Sequence, residues 1–150
     1  MIRVWLDADS APVILRDYIV NYCVKNGCEV IFVANRSVSA KKSDFKMIVC
    51  EAKKDSADNY IFENASSGDL VITKDLTLAN RLLGKEILAI NDKGVVYSKS
   101  YIETHLAERE MNMDLSALGF GSSKSDYSEI SFKKFRKNFE NCIEKLKLSY

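Results

Sequence analysis

Five short, almost wholly apolar segments do most to constrain the fold of this chain. A segment such as CEVIFVA at 28–34 has no polar face, which is typical of a strand buried on both sides of a parallel sheet. Helical patterns separate most of these segments, and Pro12 and Gly27 suit the start and the end of the first helix. The expected strands are 2–6, 28–34, 45–50, 70–73 and 86–91.

The order of the elements predicts the fold class. Strands and helices over 1–91 follow the order β-α-β-β-α-β-α-β, which favours an α/β three-layer sandwich with a mainly parallel sheet. Beyond them we expect a helix at 101–118 capped by Ser100, a mobile loop at 119–130 and an amphipathic helix at 131–147. The length of 150 residues suits a single domain spanning 1–150 with this helical C-terminal extension.

Aspartates follow the ends of several expected strands. Asp7 and Asp75 come at the ends of strands one and four, and Asp9 lies on the loop after strand one. Asp55 and Asp58 open the helix that follows strand three. Because the carboxyl ends of parallel strands share one edge of a sheet, and ligands bind where the strand order reverses, these carboxylates are expected to meet.

A cluster of carboxylates repels itself unless a cation lies among them, and hard dications prefer oxygen ligands. The pattern therefore predicts a Mg²⁺ or Mn²⁺ site held by Asp7, Asp9 and Asp75. Asp55 or Asp58 would complete the ligand shell or position water. Helix capping is the alternative interpretation, because these acids also stand where helices begin. Asp55 and Asp58 resemble a capping box, Asp75 could cap the helix at 76, and Asp9 or Ser10 could cap the helix at Pro12.

Polar and basic residues near the same edge are candidates for binding a substrate. Asn35 and Asn91 end strands two and five, and Thr73 stands just before the acid of strand four. Turn formation and strand packing are the alternative roles of these three residues. The stretch 36–54 is basic, so it could contact a phosphate backbone or simply form a solvated surface. Its candidate substrate-binding residues are Arg36, Lys41 and Lys42.

Charge and composition bear on several classes of function. The net charge of +1 neither requires nor excludes a nucleic-acid partner. The cysteines form no C-x-x-C pair and His105 is the only histidine, which disfavours a zinc site and a histidine-based catalytic triad. The first apolar run is too short for a signal peptide or a membrane span, so we expect a cytoplasmic location and no membrane partner.

Five motifs resemble the YaiI/YqxD family of uncharacterised bacterial proteins, in order and spacing, over 1–118: DADSAPV at 7–13, FVAN at 32–35, DSADNYI at 55–61, GDLVITKDLTLA at 68–79 and IN-x-x-G at 90–94. This family is grouped with PIN-like domains, which include many metal-dependent ribonucleases. The resemblance implies a parallel PIN-like sheet in the order 3-2-1-4-5 and an acidic Mg²⁺ or Mn²⁺ site. Carried over, Asp7 is the strand-one acid, Asp55 or Asp58 the helix acid, and Asp75 the strand-four acid, while Asp9 belongs to the family's own D-A-D pattern.

The leading hypothesis is therefore a metal-dependent, nuclease-like hydrolase acting on RNA phosphodiesters. One alternative is a phosphatase of the haloacid-dehalogenase type, with Asp7 as nucleophile and Asp9 as acid/base. Against it, Asp69 precedes strand four, where that class needs an acid after the strand. Another alternative is a non-catalytic module that binds RNA or another partner. Formation of a homo-oligomer is left open.

Overall fold

The computed structural model describes residues 1–9, 11–53, 55–117 and 127–148. Five strands and five helices lie within these residues. In chain order they are β1 (Arg3–Asp7), α1 (Val13–Asn26), β2 (Glu29–Ala34), β3 (Lys46–Val49), α2 (Ser56–Asn64), β4 (Leu70–Ile72), α3 (Leu76–Gly84), β5 (Leu88–Ile90), α4 (Lys99–Ala117) and α5 (Glu129–Leu148).

The strands form one all-parallel sheet in the order β3-β2-β1-β4-β5. This confirms the α/β class and the 3-2-1-4-5 order. Leu6 of β1 lies beside Ile72 of β4, so the two central strands end close together at the carboxyl edge. Asp7 is the last residue of β1, one residue beyond the strand predicted from the sequence.

Alternate side chains of the strands point to two separate cores. On one face, Leu6 and Phe32 pack with α1 and α5. On the other face, Trp5 and Val33 pack with α2, α3 and the first turn of α4. Because successive strand residues face opposite sides of a sheet, the continuous apolar runs fill both cores at once. The described residues thus form three layers, with helices on each face of the sheet.

The ends of the helices differ in places from those predicted. α4 begins at Lys99, and the hydroxyl of Ser98 accepts a hydrogen bond of 3.1 Å from the Tyr101 amide. Ser98 rather than Ser100 therefore caps this helix. α5 begins at Glu129, two residues before the predicted start, and most of the predicted loop at 119–130 lies outside the described residues.

The C-terminal helix is part of the core. Phe135 and Phe139 of α5 are fully buried against the sheet face that α1 also covers. In the described part of the chain, no helix has both the length and the apolar character that a membrane crossing requires.

Candidate metal centre

The two central strands position the first pair of carboxylates. Asp7 ends β1, and Asp75 stands directly before α3. Thr73 joins the two: its hydroxyl donates to Asp7 Oδ2 at 3.1 Å and accepts from the Asp75 amide at 3.0 Å. Asp75 Oδ1 also accepts from the Leu78 amide at 3.0 Å, so the predicted cap of α3 is confirmed. A capping carboxylate keeps its second oxygen for another partner.

Asp9 belongs to the same edge but does not cap a helix. Its two carboxylate oxygens accept from the backbone amide of Asn35, at 2.9 and 3.1 Å. The cap position of α1 is Pro12, with no side-chain hydrogen bond. Asp9 therefore ties the loop after β1 to the end of β2.

The start of α2 lies at the same edge and carries Asp55 and Asp58. The backbone of Asp55 is left-handed, with φ 65°, and its side chain makes no capping hydrogen bond. The capping alternative for Asp55 is therefore wrong. Oxygens of Asp55, Asp58 and Asp75 all lie within 4.8 Å of one another. Three oxygen ligands at this spacing suit a hard dication that keeps several waters.

These acids surround one open cavity of about 200 Å³. Its wall consists of Asp7, Asp9, Asn35, Asp55, Ala57, Asp58 and Asp75. We call it the acidic cavity. The structure brings carboxylates from separate elements to one cavity, and the group within the described residues whose oxygens all lie within 4.8 Å of one another contains Asp55, Asp58 and Asp75.

The charge of Asp7 is unfavourable in this setting. The pKa of Asp7 is raised to about 6, chiefly by burial and in smaller part by the negative charges of Asp9 and Asp75. The hydrogen bond from Thr73 and the charge of Lys74 act in the opposite direction. A nearby cation would favour the charged form of the same carboxylate.

Asp58 is affected in the same way. The pKa of Asp58 is raised to about 7. Burial is the largest cause, hydrogen bonding with Asp75 is the next, and the charges of Asp7, Asp75 and Asp55 contribute as well. Two carboxyl groups of one cavity thus hold their protons to unusually high pH. Such crowding is what a dication relieves, so the donor set fits Mg²⁺ or Mn²⁺ on charge as well as on ligand type.

Some of the predicted substrate-binding residues lie at the acidic cavity and others do not. Asn35 lines it, and Thr73 is 2% exposed and supports its acids. The Asn91 Oδ1 accepts from the amides of Lys93 and Val95 at 2.9 Å each, and Asn91 lines a second cavity rather than the acidic one. Asn91 thus forms a turn, the alternative role named for it.

The basic loop after β2 leans on α1. The Lys41 amide donates to Asp17 at 2.8 Å, and Lys42 Nζ donates to Asn21 at 2.8 Å. Asn21 lies eight residues into α1, about 12 Å along the helix from its start beside the cavity. None of Arg36, Lys41 and Lys42 is among the residues that line the acidic cavity, although Arg36 directly follows Asn35 and is exposed.

Two further acids were not predicted as site residues. Asp92 follows β5 and is 8% exposed, and its carboxylate pairs with Lys74 Nζ at 3.4 Å. Its place after a strand is the signal that could have found it. Asp69 lies at the opposite edge of the sheet, where it binds Arg3 at 2.8 Å and the Trp5 indole at 3.0 Å. Asp69 thus serves a structural role far from Asp7, which counts against the phosphatase alternative.

Comparisons with known proteins agree on one group. The model of the uncharacterised YaiI/YqxD family matches residues 5–145. A UPF0178 protein of Treponema denticola is 37% identical over 145 residues, covering 96% of this chain and 90% of that protein. A UPF0178 protein of Ectopseudomonas mendocina is 35% identical, covering 96% and 95%. No solved structure is significantly similar to the chain.

Proposed function

The chain belongs to the YaiI/YqxD family, and from that premise and its acidic cavity we propose that it is a Mg²⁺- or Mn²⁺-dependent nuclease that hydrolyses RNA phosphodiesters. One observation carries the proposal: five carboxylates from separate segments line a single cavity, and two of them have raised pKa values. The resemblance to PIN-like ribonucleases supports the reaction class by analogy, since a fold does not fix a function.

In this proposal Asp55, Asp58 and Asp75 hold the ion, because their oxygens are mutually closest. The ligand set expected from the sequence was Asp7, Asp9 and Asp75, so Asp75 is common to both. When bound, the ion neutralises charge on a phosphodiester and makes water more acidic.

Asp7 has a separate role. Its Oδ2 accepts from the Thr73 hydroxyl, and its charged form, which a bound cation favours, suits a carboxylate that accepts a proton from an attacking water. Asp9 accepts from the backbone amide of Asn35, and this contact holds the neighbouring wall of the cavity. Arg36 is proposed to meet a phosphate, because it follows Asn35 directly and is exposed.

The test is Mn²⁺-dependent cleavage of single-stranded RNA by the wild type, Asp75→Asn and Asp7→Asn. Each substitution keeps the shape of the side chain and removes its charge, so we expect the cleavage rate to fall at least about 100-fold. Asp44→Asn is the matched control, since Asp44 is exposed and lies outside the cavity.

Equal cleavage by wild type and Asp75→Asn would identify a contaminating nuclease and overturn the proposal. RNA binding without any cleavage in Mn²⁺ or Mg²⁺ would overturn it in favour of the non-catalytic RNA-binding module.

A further inference from the structure

A second and larger cavity, of about 580 Å³, adjoins the acidic cavity. Lys74 lines it, and this residue stands between Thr73 and Asp75 of the metal centre. Its other walls come from the β5–α4 loop, the first turns of α4 and the residues before and at the start of α5. The volume lies in the range of known small-molecule sites. We call it the aromatic cavity, for the rings described next.

One wall consists of rings held in fixed positions. Tyr97 is buried, and its hydroxyl donates to the Thr73 carbonyl at 2.9 Å. Tyr101 packs edge-on against Tyr97, with ring centroids 5.7 Å apart. His105 stacks on Tyr101 with centroids 3.8 Å apart and planes 21° apart. Tyr101 and His105 are half-buried, so these preformed rings remain partly open to the cavity.

Two lysines and one aspartate line the same cavity, namely Lys74, Lys93 and Asp92. Lys93 lines it, is exposed, and makes no ion pair or side-chain hydrogen bond with the residues the structure describes. Lys74 is 49% exposed, and its pairing with Asp92 at 3.4 Å keeps its ammonium group between the two cavities. On the far side, the Tyr127 hydroxyl donates to the Asp92 carbonyl and ties the start of α5 to this loop.

Fixed aromatic rings beside lysines are the arrangement that binds single-stranded nucleic acid, since bases stack on rings and cations meet phosphates. We propose that the aromatic cavity binds one unpaired nucleotide of the RNA, next to the phosphodiester held at the acidic cavity. The base stacks on an outer face of the Tyr101–His105 pair, because the two inner faces cover each other, and the adjoining phosphate meets Lys93 and Lys74. This inference rests on the proposed function and adds where the substrate binds and why it must be single-stranded, because a paired base cannot reach the rings.

The experiment measures binding without cleavage. A fluorescein-labelled decauridylate is titrated with the full chain in EDTA, and its anisotropy gives the dissociation constant for wild type, Tyr101→Ala, Tyr101→Phe, Lys93→Ala and Lys137→Ala. Tyr101→Ala and Lys93→Ala are each expected to weaken binding by about tenfold. Tyr101→Phe keeps the ring and should bind like the wild type. Lys137 is an exposed lysine of α5 outside the cavity, so Lys137→Ala is also expected to bind like the wild type.

Thermal melts of the variants separate folding from binding. If Tyr101→Ala is unfolded, Lys93→Ala and competition by uridine 5′-monophosphate still decide the matter, because the free nucleotide should displace the labelled RNA from a nucleotide site. A duplex of decauridylate with decaadenylate should bind at least about tenfold more weakly than the single strand.

Two results would overturn the inference. One is unchanged binding by both Tyr101→Ala and Lys93→Ala. The other is equal loss of binding in Lys93→Ala and Lys137→Ala, which marks a diffuse charge effect. Neither result touches the metal-dependent cleavage test. Conversely, specific binding in EDTA with no cleavage in Mn²⁺ would overturn the nuclease proposal and leave the nucleotide site standing.

Discussion

Thr73 links the two cavities through three hydrogen bonds. Its hydroxyl donates to Asp7 and accepts from the Asp75 amide, and its backbone carbonyl accepts from the Tyr97 hydroxyl. A buried hydroxyl that both donates and accepts fixes its neighbours, whereas valine at the same place would leave a buried carboxylate without a donor. One residue therefore positions both groups, the acids through its side chain and the Tyr97 ring through its backbone carbonyl.

The raised pKa of Asp7 predicts a pH-dependent change in stability. The folded state holds the Asp7 proton up to a pH of about 6, whereas the ordinary value is 3.8. The folded chain thus binds this proton more tightly than the unfolded chain, and the free energy of unfolding falls as pH rises between these two values. In metal-free buffer Asp7→Asn should therefore be more stable than the wild type by about 1–2 kcal/mol near pH 8, after allowance for solvent screening.

Urea denaturation at about pH 4 and about pH 8 checks this, since the gain should vanish at the lower pH, where the wild-type carboxyl is largely protonated. Asp44→Asn serves as the control and should match the wild type at both. A lower free energy of unfolding for Asp7→Asn than for the wild type near pH 8 would contradict the prediction that the Asp7 charge destabilises the fold.

At the scale of the element, the start of α2 gives up a normal cap. Asp55 has φ 65° and no capping hydrogen bond, and a left-handed backbone costs an L-residue about 1–2 kcal/mol. Asp58 lies in the first turn of the same helix, where the helix dipole favours negative charge. The strained backbone thereby turns the Asp55 carboxylate toward Asp58 and Asp75 instead of toward the amides of its own helix.

The β5–α4 loop is an element held by close contact with α5. Gly94 has φ 85°, and a β-carbon there would lie 2.5 Å from the Lys134 carbonyl oxygen. Asn138 Nδ2 also donates to the Gly94 carbonyl at 2.7 Å. This contact sets the distance between the aromatic cavity's loop and the C-terminal helix.

Gly94→Ala should therefore destabilise the fold by at least about 2 kcal/mol, through both overpacking and backbone strain. Gly84→Ala is the matched control, because a β-carbon there meets nothing within 4 Å and its φ is ordinary. In a helix that change is expected to be neutral or to stabilise by up to about 1 kcal/mol. Urea denaturation of the two variants measures the difference, and equal stability would mean that α5 is not packed against the loop.

At the scale of the whole molecule, strand order explains why these acids meet. The strands run parallel, but the strand order reverses between β1 and β4, so the segments after these two strands lead to opposite faces of the sheet and leave a crevice at its carboxyl edge. α2 crosses the face that holds Trp5, and its first turn reaches the same crevice. Acids far apart in sequence therefore line one cavity.

Metal binding should stabilise the entire fold. At an ion concentration about 100 times the dissociation constant, binding to the folded state alone adds about 2.7 kcal/mol. For a chain of this size that corresponds to a rise in Tm of about 5–10 °C near pH 8. The rise should shrink near pH 5, because Asp7 and Asp58, with pKa values of about 6 and about 7, then hold protons that compete with the ion.

Differential scanning calorimetry with Mn²⁺ and then with EDTA checks both statements. Asp44→Asn should keep the full shift, and Asp75→Asn should lose most of it. An equal shift in wild type and Asp75→Asn would place the ion elsewhere.

The sequence was sufficient for the fold and for the location of the acids, but not for their arrangement. Apolar runs predicted every strand of the sheet, and Asp7 and Asp75 were placed at its carboxyl edge by counting along those runs. The left-handed backbone of Asp55 left no trace in residue type, since Asp is also a good cap. Tyr101 and His105 were not predicted as site residues, because their position depends on how α4 packs against α3, which no local pattern encodes.

The single tryptophan makes the two faces of the sheet optically unequal. Trp5 is 3% exposed, hydrogen-bonds Asp69 and packs in the core shared with α2, α3 and α4. The opposite core, with its stacked Phe135 and Phe139, contains tyrosine and phenylalanine but no tryptophan among the described residues. Tryptophan emission therefore reports on one layer of the sandwich, while loosening of α5 registers in tyrosine absorbance and far-ultraviolet circular dichroism.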